Sequence, residues 1–223
     1  MIAFENVAYG YGGSPLLSGV TQTLAPGSFH FLTGPSGAGK TTFLKLCYGE
    51  LLPVSGQVTS FGKATGTMDR DDTARLRRRI GVVHQDCQFL DHLSVQDNVA
   101  LPLDVARRRV DMSELAELLA WVGLSRHGGA LPPSLSGGER QRAALARAVI
   151  MSPDMLLADE PTGNLDWDMS LKLLTLLVEL NKMGTSILVA THDLNLIRAA
   201  KAQVSARVLR IAGGRVQAAG AEL

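Results

Sequence analysis

Apolar and polar positions follow two different periods along this chain, and each change of period marks an element. Short runs that are apolar on successive positions read as buried strands: Phe29–Thr33, residues 80–84, Met155–Asp159 and residues 186–191. A strand that is apolar on both faces belongs inside a parallel sheet covered by helices, so these runs predict an α/β core. Residues 40–48, 115–121 and 140–149 instead carry apolar positions at helical spacing. The opening differs. Residues 2–7 and 16–20 are brief strands split by the turn-rich Tyr9-Gly10-Tyr11-Gly12-Gly13-Ser14-Pro15, which predicts a small N-terminal antiparallel β layer. Residues 208–216 read as a hairpin turning at Gly213-Gly214. From about residue 88 to 151 the composition shifts to helix formers with no convincing strand. That stretch is expected to be a helical lobe inserted into a core made of residues 1–87 and 152–223. There is no internal repeat, so the chain is read as a single domain.

Composition narrows the class. With 223 residues, 46% of them hydrophobic and 19% charged, the chain has ample material for a core and is not a disordered protein. Lys and Arg number 22 and Asp and Glu 21, for a formal charge of +1. No overall field therefore draws it to nucleic acid or anionic lipid, and any such partner must be met locally. Cys47 and Cys87 lie far apart with no close companion, which fits neither a metal knuckle nor a redox pair and suggests a reducing cytoplasm. The start, Met1-Ile2-Ala3-Phe4-Glu5-Asn6, lacks the basic stretch of a secretion signal. Every apolar run is interrupted well before the roughly 20 residues that span a bilayer.

The first chemical signal is Gly34-Pro35-Ser36-Gly37-Ala38-Gly39-Lys40-Thr41, followed by Thr42, with a strand before it and a helix after it. Glycines let the backbone wrap closely, so N–H groups converge on phosphate oxygens with the positive end of a helix behind them. Lys40 adds a cation for the β and γ phosphates, and the Thr41 hydroxyl is placed to bind Mg²⁺. A glycine-rich turn with a chance lysine is the plain alternative.

Asp159 and Glu160 end an apolar strand at the edge where open α/β sheets bind ligands. Asp159 is a candidate holder of hydrated Mg²⁺, and Glu160 a candidate base for the water that attacks the γ phosphorus. His192 and Gln85 end two further strands. His192 is a candidate γ-phosphate contact, and Gln85 a candidate contact to the metal or its water through its amide oxygen. Tyr11 is a candidate platform for a purine base, with an exposed turn tyrosine as the commoner explanation. Ser136 and Glu139 have capping-box spacing at the start of a helix, but Gly137 and Gly138 between them also bare its first N–H groups toward an anion from another molecule. The two readings are compatible.

Together these residues resemble the ATP-binding cassette (ABC) ATPases across essentially the whole chain. Walker A corresponds to residues 34–41, the Q-loop to Gln85, the signature to residues 135–139, Walker B to Met155–Asp159 with Glu160, the D-loop to residues 163–166 ending in Asp166, and the switch histidine to His192. The resemblance implies a P-loop NTPase fold, Mg-ATP binding and hydrolysis, and a head-to-tail homodimer. In such a dimer Ser136, Gly137, Gly138 and Asp166 of one copy meet the ATP held by the other. Residues 157–166 are similar to the branch that serves cell division, lipoprotein release and macrolide export. Three stretches, residues 31–40, 95–103 and 190–197, favour the cell-division members. That branch implies a peripheral place at the cytoplasmic face of the inner membrane. Its integral membrane partner would be of the FtsX kind, contacted by the helical lobe around residues 89–99, from Phe89 to Val99. The alternatives are an exporter or lipoprotein-release subunit, a nucleotide-gated scaffold that hydrolyses little, or a soluble nucleic-acid-associated cassette. The last is disfavoured because the chain has neither a second cassette nor a basic face. The arginines at 75, 77–79 and 107–109 are candidates for lipid headgroups, with a solvated helix face as the better reading.

Overall fold

The computed structural model describes residues 1–219. A first antiparallel pair, β1 (Ile2–Tyr11) and β2 (Ser14–Leu24), leads into β3 (Phe29–Thr33) and the helix α1 (Lys40–Cys47). After β4 (Ser55–Ser60) and β5 (Lys63–Ala64) come α2 (Arg70–Arg78) and β6 (Ile80–Val83). Three helices follow without a strand: α3 (Val95–Val105), α4 (Met112–Trp121) and α5 (Gly137–Val149). Then β7 (Met155–Asp159), α6 (Trp167–Lys182), β8 (Ser186–Ala190), α7 (Leu194–Lys201), β9 (Ala206–Ala212) and β10 (Arg215–Ala218) complete the described chain.

The strands form two sheets. One has four strands in the order β2-β1-β4-β5, all antiparallel; the other has six, in the order β10-β9-β3-β8-β7-β6. The strands from β9 to β6 run parallel and β10 pairs antiparallel at the edge. Every residue of β3, β7 and β8 is buried. Side chains of successive residues point to opposite faces, so Leu156 and Ala158 join one core with Val99, Leu119 and Leu145 of the helical stretch. Leu157 joins the other, with Phe4 and Phe43. The helical stretch thus shares a core with the sheet. Gly81 shows how closely: a Cβ there would lie 2.2 Å from the Ala148 carbonyl oxygen of α5.

Several elements differ from the sequence reading. The antiparallel pair is longer than expected, because Gly12 and Gly13 take φ of 58° and 87° and close a two-residue turn with Tyr11 paired to Ser14. Tyr11 is therefore the last residue of a strand. The antiparallel layer also recruits β4 and β5, whose polar composition gave no strand signal. The apolar spacing marks none of α2, α3, α6 and α7 individually; α3, inside the stretch expected to be helical, carries Pro102 in its interior. α4 starts three residues earlier than the apolar spacing indicates, behind the Asp111 cap, whereas α5 starts at the expected Ser136 cap.

Among the buried side chains with unpartnered polar atoms, one is a histidine inside the parallel sheet. His30 in the middle of β3 is 1% exposed, and neither ring nitrogen has a hydrogen bond. Burial first, and then the Arg207 cation on the neighbouring strand, push its imidazole below the ordinary histidine range. The unfolded chain then binds more protons than the folded one, so stability is complete above about pH 6.5 and falls as pH drops from there toward the depressed value. His30→Leu should flatten this acid-side decline and be neutral or stabilising by roughly 1 kcal/mol at neutral pH, as read by thermal unfolding across the range. Gly81→Ala should cost about 1–3 kcal/mol in urea unfolding, because α5 must retreat from β6.

Candidate functional site

The parallel register decides which residues meet. Leu32 and Asp159 both pair with Ala190, and Val83 pairs with Ala158, so β3, β6, β7 and β8 end at one edge. The segments that leave this edge are Gly34–Thr41, His84-Gln85, Glu160 and Thr191-His192. They line one cavity of 650 Å³, whose walls include Gly34, Lys40, Thr41, Gln85, Asp159, Glu160 and His192.

The loop after β3 has the conformation its glycines allow. Gly39 is the N-cap of α1 with φ 104°, a left-handed position, and its missing Cβ leaves room for Leu16 and Leu17 at 3.2 Å. No side chain caps α1, whereas Asp69, Ser94, Asp111, Ser136, Asp166 and Asp193 cap the six other α-helices. The first N–H groups of α1 are left facing the cavity with the positive end of the helix dipole behind them, as an anion requires. Lys40 curls over the loop and donates to the Gly34 carbonyl at 3.0 Å.

The two carboxylates have different surroundings. The Thr41 hydroxyl donates to Asp159 Oδ2 at 2.6 Å, joining the start of α1 to the end of β7. Burial raises the Asp159 carboxyl above its ordinary value, the Thr41 bond opposes that rise, and the neighbouring Glu160 charge adds to it. Glu160 follows in a left-handed backbone conformation, φ 44°, with its amide bonded to the Ala190 carbonyl at 2.8 Å. A non-glycine residue held there is strained. The turn aims its carboxylate back into the cavity, 3.4 Å from Lys40 Nζ and 3.1 Å from His192 Nδ1. Thr41, Asp159 and Gln85 offer a hydroxyl, a carboxylate and an amide oxygen, a hard-oxygen set that suits Mg²⁺ completed by water and phosphate. No cluster of three or more His, Cys, Asp or Glu ligands occurs among the described residues.

Not every candidate reaches this cavity. Tyr11 lies outside its lining, 55% exposed, with its hydroxyl 3.4 Å from Thr42 Oγ1. Ser136, Gly137, Gly138 and Asp166 are also outside it. Ser136 forms the expected capping box with Glu139, and Asp166 caps α6 by accepting from the Met169 amide at 2.8 Å. Ser136 and Gly137 are nevertheless exposed, so the end of α5 is open to another molecule. Gly163, the first residue of the D-loop stretch, lines the cavity, and so does Leu16, which was not foreseen because it carries no side-chain chemistry that sequence patterns flag. In the stretch 89–99, Val95 and Val99 are buried in the core and cannot meet a partner, because helical periodicity turns them inward. Phe89 is half-buried beneath the guanidinium of Arg147, and only Leu90 among its large apolar residues is well exposed.

A family model described as ABC transporter matches residues 17–163. The cell division ATP-binding protein FtsE of Haemophilus influenzae is 44% identical over 202 residues, 89% of this chain and 93% of that protein. The protein of the same name from Escherichia coli K12 is 43% identical over 224 residues, 97% of each. Among solved structures, the dimeric post-hydrolysis state of an ATP-binding cassette bound to ADP and Pi is similar at a TM-score of 0.86 and 33% identity, over 97% of both chains.

The Thr41–Asp159 bond yields its own prediction. Thr41→Val removes a donor from a buried carboxylate and should cost about 1.5–3 kcal/mol at neutral pH. Because the Asp159 carboxyl is already raised by burial, losing the donor raises it further, so ionisation becomes less favourable in the folded state. The deficit should shrink as pH falls and Asp159 takes up its proton, which denaturant midpoints measured across acid pH will read.

Proposed function

This chain belongs to the ABC transporter family and is an ATPase, and on that premise we propose that it is the Mg-ATP-hydrolysing subunit of a cell-division complex. It acts as a head-to-tail homodimer at the cytoplasmic face of the membrane, beneath an integral partner of the FtsX kind. The observation that carries this reading is the meeting of Lys40, the Thr41–Asp159 pair, Glu160 and His192 around the uncapped start of α1.

In this reading the loop amides and Lys40 hold the β and γ phosphates, which pull Lys40 from the Gly34 carbonyl and from Glu160. Glu160 then accepts a proton from water as the water oxygen bonds to the γ phosphorus and the bond to the bridging oxygen of ADP breaks. His192, bonded to Glu160 at rest, holds that carboxylate in line and contacts the departing phosphate. Thr41, Asp159 and Gln85 would hold Mg²⁺, which supplies charge neutralisation on the phosphates. Tyr11 stacks on the base. The open end of α5 at Ser136 supplies N–H donors to the nucleotide of the second copy, because within one chain these groups lie outside the phosphate cavity.

For the membrane partner we assign the lobe surface near Phe89 and Leu90 together with the groove beside it. That groove, 580 Å³, has Leu101, Pro102 and Val105 on its wall and Arg77, Arg78 and Arg147 around them. It suits an apolar segment bearing acids. Closure of the dimer around ATP would shift the lobe and the groove with it, which moves the membrane subunit and through it the wall hydrolases of the septum.

Turnover per chain should rise with protein concentration until dimers saturate. Glu160→Gln should lower kcat by about 10²–10⁴-fold while sparing ATP affinity. A concentration-independent rate in monomeric protein, or full activity of the Gln variant, overturns the assignment.

A further inference from the structure

Cys87 is buried, two residues beyond Gln85, and its backbone is left-handed at φ 36°. Two consecutive residues of α5 grip it. The Cys87 thiol donates to Gln141 Oε1 at 2.5 Å, and Arg140 Nη2 donates to the Cys87 carbonyl at 3.5 Å. Arg140 is itself anchored to the Pro132 carbonyl at 2.9 Å. Gln141 is 6% exposed, and its Nε2 has no hydrogen-bond partner. It lines a second cavity of 220 Å³, shared with Gln85, Gly137, Glu160, Gly163 and Asn164.

We propose that Gln141 is a positioning residue that fastens the Gln85 loop to α5 through Cys87, so that Gln85 and the Ser136 end of α5 move as one body. This rests on the roles given above to Gln85 and Ser136. The physical reason is the cost of the alternative. Cys87 holds an unfavourable backbone angle, and without the grip of α5 the loop relaxes toward an ordinary one and carries Gln85 away from the site. Gln141 Nε2 also lacks a partner in a cavity whose wall includes Glu160, Gly163 and Asn164, so narrowing that cavity would give a buried polar group the partner it lacks. A sulfhydryl is a weak donor, and serine offers the same geometry with a stronger one.

The test uses the full chain and its steady-state ATPase activity. Cys87→Ala and Gln141→Leu should each lower kcat about tenfold with KM for ATP changed less than about twofold, since phosphate contacts are untouched and only alignment is lost. Cys87→Ser should retain wild-type kcat within about twofold. The double variant Cys87→Ala, Gln141→Leu should be no worse than the poorer single one, because both remove one contact. Cys87→Ala turning over like wild type, Cys87→Ser failing as badly as Cys87→Ala, or additive losses in the double variant each overturn the proposal. If Glu160→Gln is inactive while Cys87→Ala is normal, the positioning role falls and the ATPase assignment stands. If Glu160→Gln is as active as wild type, the assignment itself falls.

Discussion

A single hydrogen bond, from the Thr41 hydroxyl to Asp159, ties together segments 118 positions apart and closes the site. The rest of the arrangement depends on it. Asp159 is the last residue of a fully buried strand, and its carboxylate is tolerated there only because a donor and a nearby lysine offset the loss of water. The helix that delivers the donor starts without a cap of its own, so the same few residues present both an anion site and the partner of a buried acid. Under the proposed function, moving Thr41 would disturb metal and phosphate binding together.

Glu160 extends this logic by one residue. Its left-handed turn is a local cost met by the bond from its amide to β8 and by the ion pair with Lys40. Glu160 lies within reach of Lys40 and His192, the two basic side chains that the proposed function assigns to the phosphates.

The helical stretch is joined to the sheet more intimately than an appended lobe would be. One apolar cluster runs from Phe29 and Leu156 of the sheet to Val99 and Leu119 of the helices, and α5 lies against β6 so closely that Gly81 has no room for a methyl group. Polar contacts at Cys87 add a second attachment beside the catalytic edge. A few short, directional contacts thus join the helices to the edge that carries Gln85, beside a continuous apolar core.

Much of this was legible in the order of residues alone. Runs of apolar residues named β3, β7 and β8, since only a strand covered on both faces is apolar throughout. The glycine loop, the acid pair and the strand-end histidine followed, because each has a fixed place relative to a strand end. Elements whose signal was masked were not legible: α3 hides behind Pro102, and β4 and β5 are polar. Their strand character comes from pairing with β1 and with each other. The order of residues specified which groups to expect at the sheet edge. The fold alone decided that Lys40 reaches Glu160, that Val95 and Val99 turn inward and that Ser136 stays outside the phosphate cavity, because such proximities arise from register between strands distant in the chain and from which face of a helix meets the core.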